Sequence, residues 1–174
     1  MHALVVFESM YGNTQAIAEA VARGLATHGT VDVVEVGAAP DQVPPGVDLL
    51  VVGAPTHAFG LSRASTRADA AARVPNTTLV SHGRGVREWL DLVRTTATGT
   101  EAVAFDTRVR KPRVPGSAAH KADKELRRHG FTVADAPETF WVEGVTGPLV
   151  PGDLRRAQTW GDALGRTAKD TLTV

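Results

Sequence analysis

Leu4-Val5-Val6-Phe7-Glu8-Ser9-Met10-Tyr11-Gly12-Asn13-Thr14 is the stretch that decides the fold. A four-residue apolar run stops at Glu8, a short polar turn follows, and small or apolar residues then recur at helical spacing through Ile17, Ala20, Val21, Gly24 and Leu25. A short apolar run without alternation reads as a strand buried on both faces. The stripe reads as a helix laid on such a sheet, ending near His28-Gly29, where glycine suits a carboxyl-terminal cap.

The same alternation continues along the chain. Val31 to Val36, Leu49 to Val52, Ala102 to Phe105 and Phe131 to Val133 repeat the apolar run, again as strands buried on both faces. Val86, Trp89, Leu90 and Val93 form a second helical stripe, and Ala119, Ala122 and Leu126 form a third that Gly130 ends. Leu154, Ala157, Trp160, Gly161, Leu164 and Ala168 form a last one. This order implies right-handed crossovers and an α/β fold with a doubly wound, five-stranded parallel sheet and helices on both faces. Three segments depart from the pattern. Residues 36–47 contain Pro40, Pro44 and Pro45 and leave room for at most a helical turn. Residues 63–85 read as a long cover loop, although Ala68 to Ala72 looks helical and Thr77 to Val80 extended. Pro137 interrupts the last strand region before Phe140-Trp141-Val142, which predicts a split strand or an edge segment beside it.

With 174 residues, the chain is long enough for one well-buried core, and a single domain over 1–174 is expected. Hydrophobic residues at 43% and charged residues at 22% suit a globular protein. The net charge of zero argues against nucleic acid or an anionic membrane as the main partner. No apolar run is long enough for a membrane span or a secretory signal. The absence of cysteine excludes disulfides, thiolate metal sites and cysteine nucleophiles, and fits a cytoplasmic location. Redox chemistry in this chain requires a borrowed cofactor.

The turn after the first strand carries the first chemistry. Backbone N–H groups from Met10 to Gln15 lie where a strand gives way to a helix start, with the Ser9 and Thr14 hydroxyls and the Asn13 amide as further donors. Gly12 lets the backbone approach closely. Bonds to a charged group contribute roughly 1.5–3 kcal/mol each, so several hold a phosphate without a lysine. The same residue types also make ordinary turns and helix caps, and the loop alone leaves both readings open.

The loop resembles the phosphate loop of the flavodoxins, and Leu49-Leu50-Val51-Val52-Gly53-Ala54-Pro55-Thr56-His57-Ala58-Phe59-Gly60 is similar to their third strand and flavin loop. The resemblance implies a flavodoxin-like fold with FMN as cofactor. Its phosphate would be held by Ser9, Met10, Tyr11, Gly12, Asn13 and Thr14, and its ring flanked by Pro55, Thr56, His57, Ala58, Phe59 and Gly60. The loop after the fourth strand, beginning Asp106, Thr107 and Arg108, resembles the third family loop in position alone. From Thr107 to Ser117 it has no aromatic residue to stack on a flavin, which leaves Phe59, His57 or Tyr11 for that role. The specific motifs occupy the first two loops, which flank the point where strand order reverses and ligands bind in doubly wound sheets.

Other nucleotide and phosphotransfer readings fit poorly. A receiver domain requires an aspartate after the third strand, where Ala54-Pro55-Thr56 stands, and no P-loop lysine is present. Gly83-Arg84-Gly85 follows no clear strand, as a dinucleotide-binding glycine motif would. His57 reads as a solvated loop residue or a guide for substrate and protons, and Trp89, Trp141 and Trp160 read as core. The run Arg108-Val109-Arg110-Lys111-Pro112-Arg113 reads as a solvated basic face, or as a site for an anionic partner or an NADPH phosphate. Three functions remain. One is electron transfer with a redox partner protein or a small electron acceptor. The second is an FMN-dependent NAD(P)H:quinone-type reductase, and the third a non-catalytic binding module without flavin.

Overall fold

The two-residue period of the strands explains how the molecule is layered. In a computed structural model that describes residues 1–75, 78–95, 99–113 and 115–172, β1 (His2–Phe7) sends Ala3, Val5 and Phe7 to one side and Leu4 and Val6 to the other. The strands β3 (Leu49–Pro55) and β4 (Glu101–Val109) divide in the same way. Both faces are covered. On one, α1 (Asn13–Leu25) and α5 (Asp153–Leu172) bury Ile17, Val21, Leu25, Ala157 and Leu164 against the sheet. On the other, α3 (Val86–Leu92) contributes Trp89 and Leu90, and α4 (Ala118–Arg128) contributes Ala119, Ala122 and Leu126. Each fully buried large aliphatic or aromatic side chain contributes about 1.5–3 kcal/mol, which explains why the apolar stripes sit where the sequence shows them.

The sheet is parallel throughout. With β2 (Thr30–Glu35) and β5 (Thr132–Val133), its order is β2-β1-β3-β4-β5, and β6 (Glu138–Val142) also pairs with β4. Glu101 and Ala102 of β4 pair with β5, whereas Phe105 to Val109 pair with β6. The fifth position is therefore filled by two pieces with Pro137 between them, the split that this proline predicts. The order reverses between β1 and β3, so the loops leaving their carboxyl ends open onto a shared crevice.

Several expectations are corrected. The run 31–36 is not buried on both faces, because β2 pairs only with β1 and leaves Val33 39% exposed. The segment 63–85 is not a simple loop, since α2 (Ala64–Ala71) lies within it. Of the extended reading for Thr77 to Val80, Thr77 lies outside the described residues; Val80 and Ser81 donate their N–H groups to the Met10 and Ser9 carbonyls. Trp89 is fully buried, but Trp141 is only half-buried, with the Arg108 and Arg113 guanidiniums over its ring. Leu154 faces outward.

Candidate functional site

The turn between β1 and α1 is built around Gly12. Its φ of 88° is left-handed, which glycine adopts without strain, and it occupies the position just before the helix. The Gly12 N–H donates to Ser9 Oγ at 3.0 Å, and the Ser9 N–H donates to Ser81 Oγ at 3.0 Å. The first helical bond runs from the Ala16 N–H to the Gly12 carbonyl. No side chain caps α1 and its first turn holds no acid, so the N–H groups of Asn13, Thr14 and Gln15 meet the positive end of the helix dipole without a helical acceptor. That combination favours an anion. Buried Thr14 and Thr107 share a hydroxyl hydrogen bond of 2.8 Å that fastens the first turn of α1 to the end of β4. Asn13 uses Nδ2 on the Thr146 carbonyl, so part of its expected donor capacity goes to the loop after β6.

A cavity of about 300 Å³ opens above this turn. The structure brings together on its walls Ser9, Met10, Tyr11, Asn13 and Thr14 from the first loop, Pro55 to Ala58 from the second, and Thr107 and Arg108 from the third. Gly12, Phe59, Gly60 and Asp106 stand beside it rather than on its walls. Asp106 is wholly buried; its Oδ2 accepts bonds from Thr56 Oγ1, Ser117 Oγ and the Ala119 N–H, holding the start of α4 against β3 and β4. Phe59 is 58% exposed, on a turn whose central residues, Ala58 and Phe59, have φ of 40° and 73°. Reciprocal backbone bonds between His57 and Gly60 close this turn, which is of the hairpin type that normally takes asparagine and glycine.

The remaining wall was not anticipated. Thr66, Asp69, Ala70 and Arg73 reach the cavity from α2 and its end, and Val109, Val142 and Val145 close the opposite side. Met10, Ala70 and Leu79 form a small apolar cluster that seats α2 on the first loop, and Tyr11 Oη donates to the Ala70 carbonyl at 2.9 Å.

Charge in and behind the site is arranged by burial. Glu8, at the end of β1, has no exposed surface; it accepts from Ser62 Oγ at 2.5 Å and from the Val86 N–H at 2.8 Å. Burial pushes its pKa up, while these bonds and Arg67 oppose the rise. Arg67 also donates to Ser62 Oγ and pairs with Glu88 at 3.1 Å, so one network joins the first loop, the segment after the second loop, and α3. His57 is half-buried rather than solvated; burial lowers its pKa, its bond to the Thr66 backbone resists, and Arg67 adds to the lowering. Burial likewise raises the Tyr11 pKa, which Arg73 opposes.

The family model for flavodoxin matches residues 5–78, which span both of the loops that carry the sequence motifs. The fold is flavodoxin-like. It matches that of a flavodoxin from the Archaea, with a TM-score of 0.66 and 19% identity over 97% of this chain and 99% of that one. Oxidised flavodoxin 1 from Bacillus cereus matches with a TM-score of 0.68 and 17% identity, over 95% of this chain and 98% of its own. The rubredoxin oxygen:oxidoreductase of Desulfovibrio gigas matches with a TM-score of 0.62 and 15% identity, over 99% of this chain but 37% of its own. At these identities the likeness is one of fold. No curated protein matches the chain in sequence. No helix among the described residues is long and apolar enough to cross a membrane.

Proposed function

We propose that the chain binds FMN at the carboxyl end of its sheet and acts in electron transfer, passing electrons to a redox partner protein or a small acceptor. The observation that carries this reading is the uncapped start of α1, which opens beneath a cavity of mixed polar and apolar walls. A ligand with one phosphate and one flat, largely apolar ring fits both features. The free N–H groups of Asn13, Thr14 and Gln15, together with the Ser9 and Thr14 hydroxyls, would hold the phosphate. Tyr11, Pro55 to Ala58, Arg108 and Val109 would flank the ring. FMN would supply reversible electron transfer, which a chain without cysteine lacks. The protein's part is to bind, orient and tune it.

Fluorescence titration of the apoprotein with FMN and with riboflavin tests the proposal. FMN should bind at least about 100-fold more tightly, the worth of two charge-assisted hydrogen bonds. Replacing Ser9 and Thr14 together by alanine should erase most of that preference. Equal affinity for the two ligands would remove the phosphate site. Steady NAD(P)H consumption with a quinone would make the protein a reductase, whereas reduction only through a second protein would make it a carrier.

A further inference from the structure

The chain is neutral as a whole and uneven in detail. Residues 108–128 hold eight lysines and arginines against two acids, Asp123 and Glu125, while the rest of the chain holds eleven against seventeen. This stretch comprises the end of β4, the loop after it and α4; Arg108 lines the cavity and Lys121 lies against Gly60 beside it, whereas Arg127 and Arg128, at the far end of α4, lie toward the start of β4. Arg110, Lys111 and Arg113 are exposed. Arg110 pairs with Glu143 at 2.8 Å, Arg127 with Asp123 at 3.0 Å and Arg128 with Glu125 at 2.7 Å. Exposed pairs of this kind contribute little to stability. Glu143 lies outside the stretch and offsets Arg110, so the excess beside the cavity comes from Arg108, Lys111, Arg113 and Lys121, and it attracts negative charge.

The patch has an aromatic centre and an apolar border. The guanidinium carbons of Arg108 and Arg113 stand 5.2 and 5.7 Å from the centroid of half-buried Trp141. A ring with two guanidiniums close over it keeps planar donors in place, and tryptophan and arginine are among the residues most enriched where binding energy concentrates. Val145, on the cavity wall, is 56% exposed, and Phe59, next to the cavity-lining Ala58, is 58% exposed. Gly116 of the basic loop lies so close under Phe59 that a Cβ there would stand 2.2 Å from the Phe59 carbonyl oxygen. Apolar contacts at the mouth and cations beside it form one continuous face.

We propose that the basic loop 108–113, the Trp141 stack and the rim residues Phe59 and Val145 form the docking surface for an acidic redox protein. This rests on the reading that the cavity holds a flavin, since electron transfer requires the partner to approach that mouth. The cations extend along a loop and the first turn of α4 instead of converging on one point, and apolar side chains border them, which suits a protein face better than a single phosphate.

The test is an NMR titration of the labelled protein, with and without FMN, against an acidic plant-type two-iron ferredoxin and, separately, a basic c-type cytochrome. The ferredoxin should bind the apoprotein and the loaded protein alike. Its affinity should fall at least about tenfold between about 20 mM and about 300 mM salt, with shifts at Phe59, Trp141 and Val145. The triple variant Arg110→Glu, Lys111→Glu, Arg113→Glu should lose at least about tenfold in affinity at low salt, and Lys111→Glu alone should show part of that loss with the melting temperature unchanged. Tighter binding of the cytochrome, or ferredoxin binding indifferent to the triple variant, would overturn the proposal. So would adenosine 2′,5′-bisphosphate binding the loop more tightly than the ferredoxin, which would make it a nucleotide-phosphate site. Because the apoprotein is measured too, these outcomes stand apart from any failure to bind FMN.

Discussion

Glu8 shows how much of this site depends on a residue that touches none of the cavity. Its carboxyl is buried at the end of β1 and joins Ser62, the α3 backbone and, through Ser62, Arg67. Because burial raises its pKa, the folded protein holds this proton more tightly than the unfolded chain does. Stability from this group is therefore full below the ordinary glutamate value, about 4.3, and is lost as pH rises through the raised value. Glu8→Gln has no such proton, so its melting temperature relative to wild type should become more favourable between about pH 5 and about pH 8. Calorimetry at both pH values checks this, and a difference that stays flat would show that Glu8 is not elevated. Phe59 makes the opposite case. As an exposed side chain, it should cost the apoprotein less than about 0.5 kcal/mol when replaced by alanine, while weakening FMN and altering its fluorescence. A loss of about 3–5 kcal/mol in the melt would instead mark it as core. The glycine, serine and threonine of the first loop were legible because few residue types suit a left-handed turn leading into a helix start. Glu8 was not, since a charged residue closing an apolar run looks like a strand end until its partners from residues 62 and 86 are in place.

Among the helices, α1 and α5 pack most extensively against each other, and two glycines allow it. A Cβ on Gly24 would lie 2.1 Å from the Gln158 carbonyl oxygen, and one on Gly161 would lie 2.2 Å from that of Val21. Backbone cannot yield as a flexible side chain does, so Gly161→Ala should push the helices apart. Overpacking costs typically about 1–3 kcal/mol, which for a domain of this size lowers the melting temperature by roughly 2–12 °C. Gly83→Ala, with no atom within 4 Å of the added carbon, is the control and should leave the melt nearly unchanged. Equal melts for the two variants would show that the helices are not packed backbone to backbone. The glycines were visible as members of the helical stripes, and so were β1, β3, β4 and the four helices that carry an apolar stripe. The helix α2 was legible only in part, in the helical look of Ala68 to Ala72. Its sequence, Ala64-Ser65-Thr66-Arg67-Ala68-Asp69-Ala70-Ala71, buries only Ala70, so no apolar stripe betrays it. That helix supplies Thr66, Asp69 and Ala70 of the cavity wall. Along β2, the β-branched residues that suggested a central strand belong to an edge, because strand propensity does not reveal which strands have two neighbours.

At the scale of the whole molecule, the surplus of positive charge beside the cavity acts on whatever the cavity holds. Within the basic stretch, Arg108 is the cation best placed to do so, since it lines the cavity while stacking on Trp141. A fully reduced flavin is an anion at neutral pH, and positive charge nearby favours it over the less negative forms. One cation at about 10 Å contributes roughly 1.7 kcal/mol at an effective dielectric of about 20, and about 0.4 kcal/mol if fully screened by water. For a one-electron step, in which about 59 mV is a tenfold change, these limits correspond to about 20–75 mV. Arg108→Gln should therefore lower the potential of the bound flavin by tens of millivolts at low salt. The shift should shrink toward the lower limit at high salt, because much of the path between charge and cavity mouth is solvent. Arg113→Gln offers the comparison. Its guanidinium shares the Trp141 ring but lies off the cavity wall, so its shift should be smaller and more easily screened. Spectroelectrochemical titration of wild type and both variants at two salt concentrations decides the matter. A larger shift for Arg113 than for Arg108 would place the flavin at the outer rim of the crevice, and no shift for either would assign the cations to docking alone.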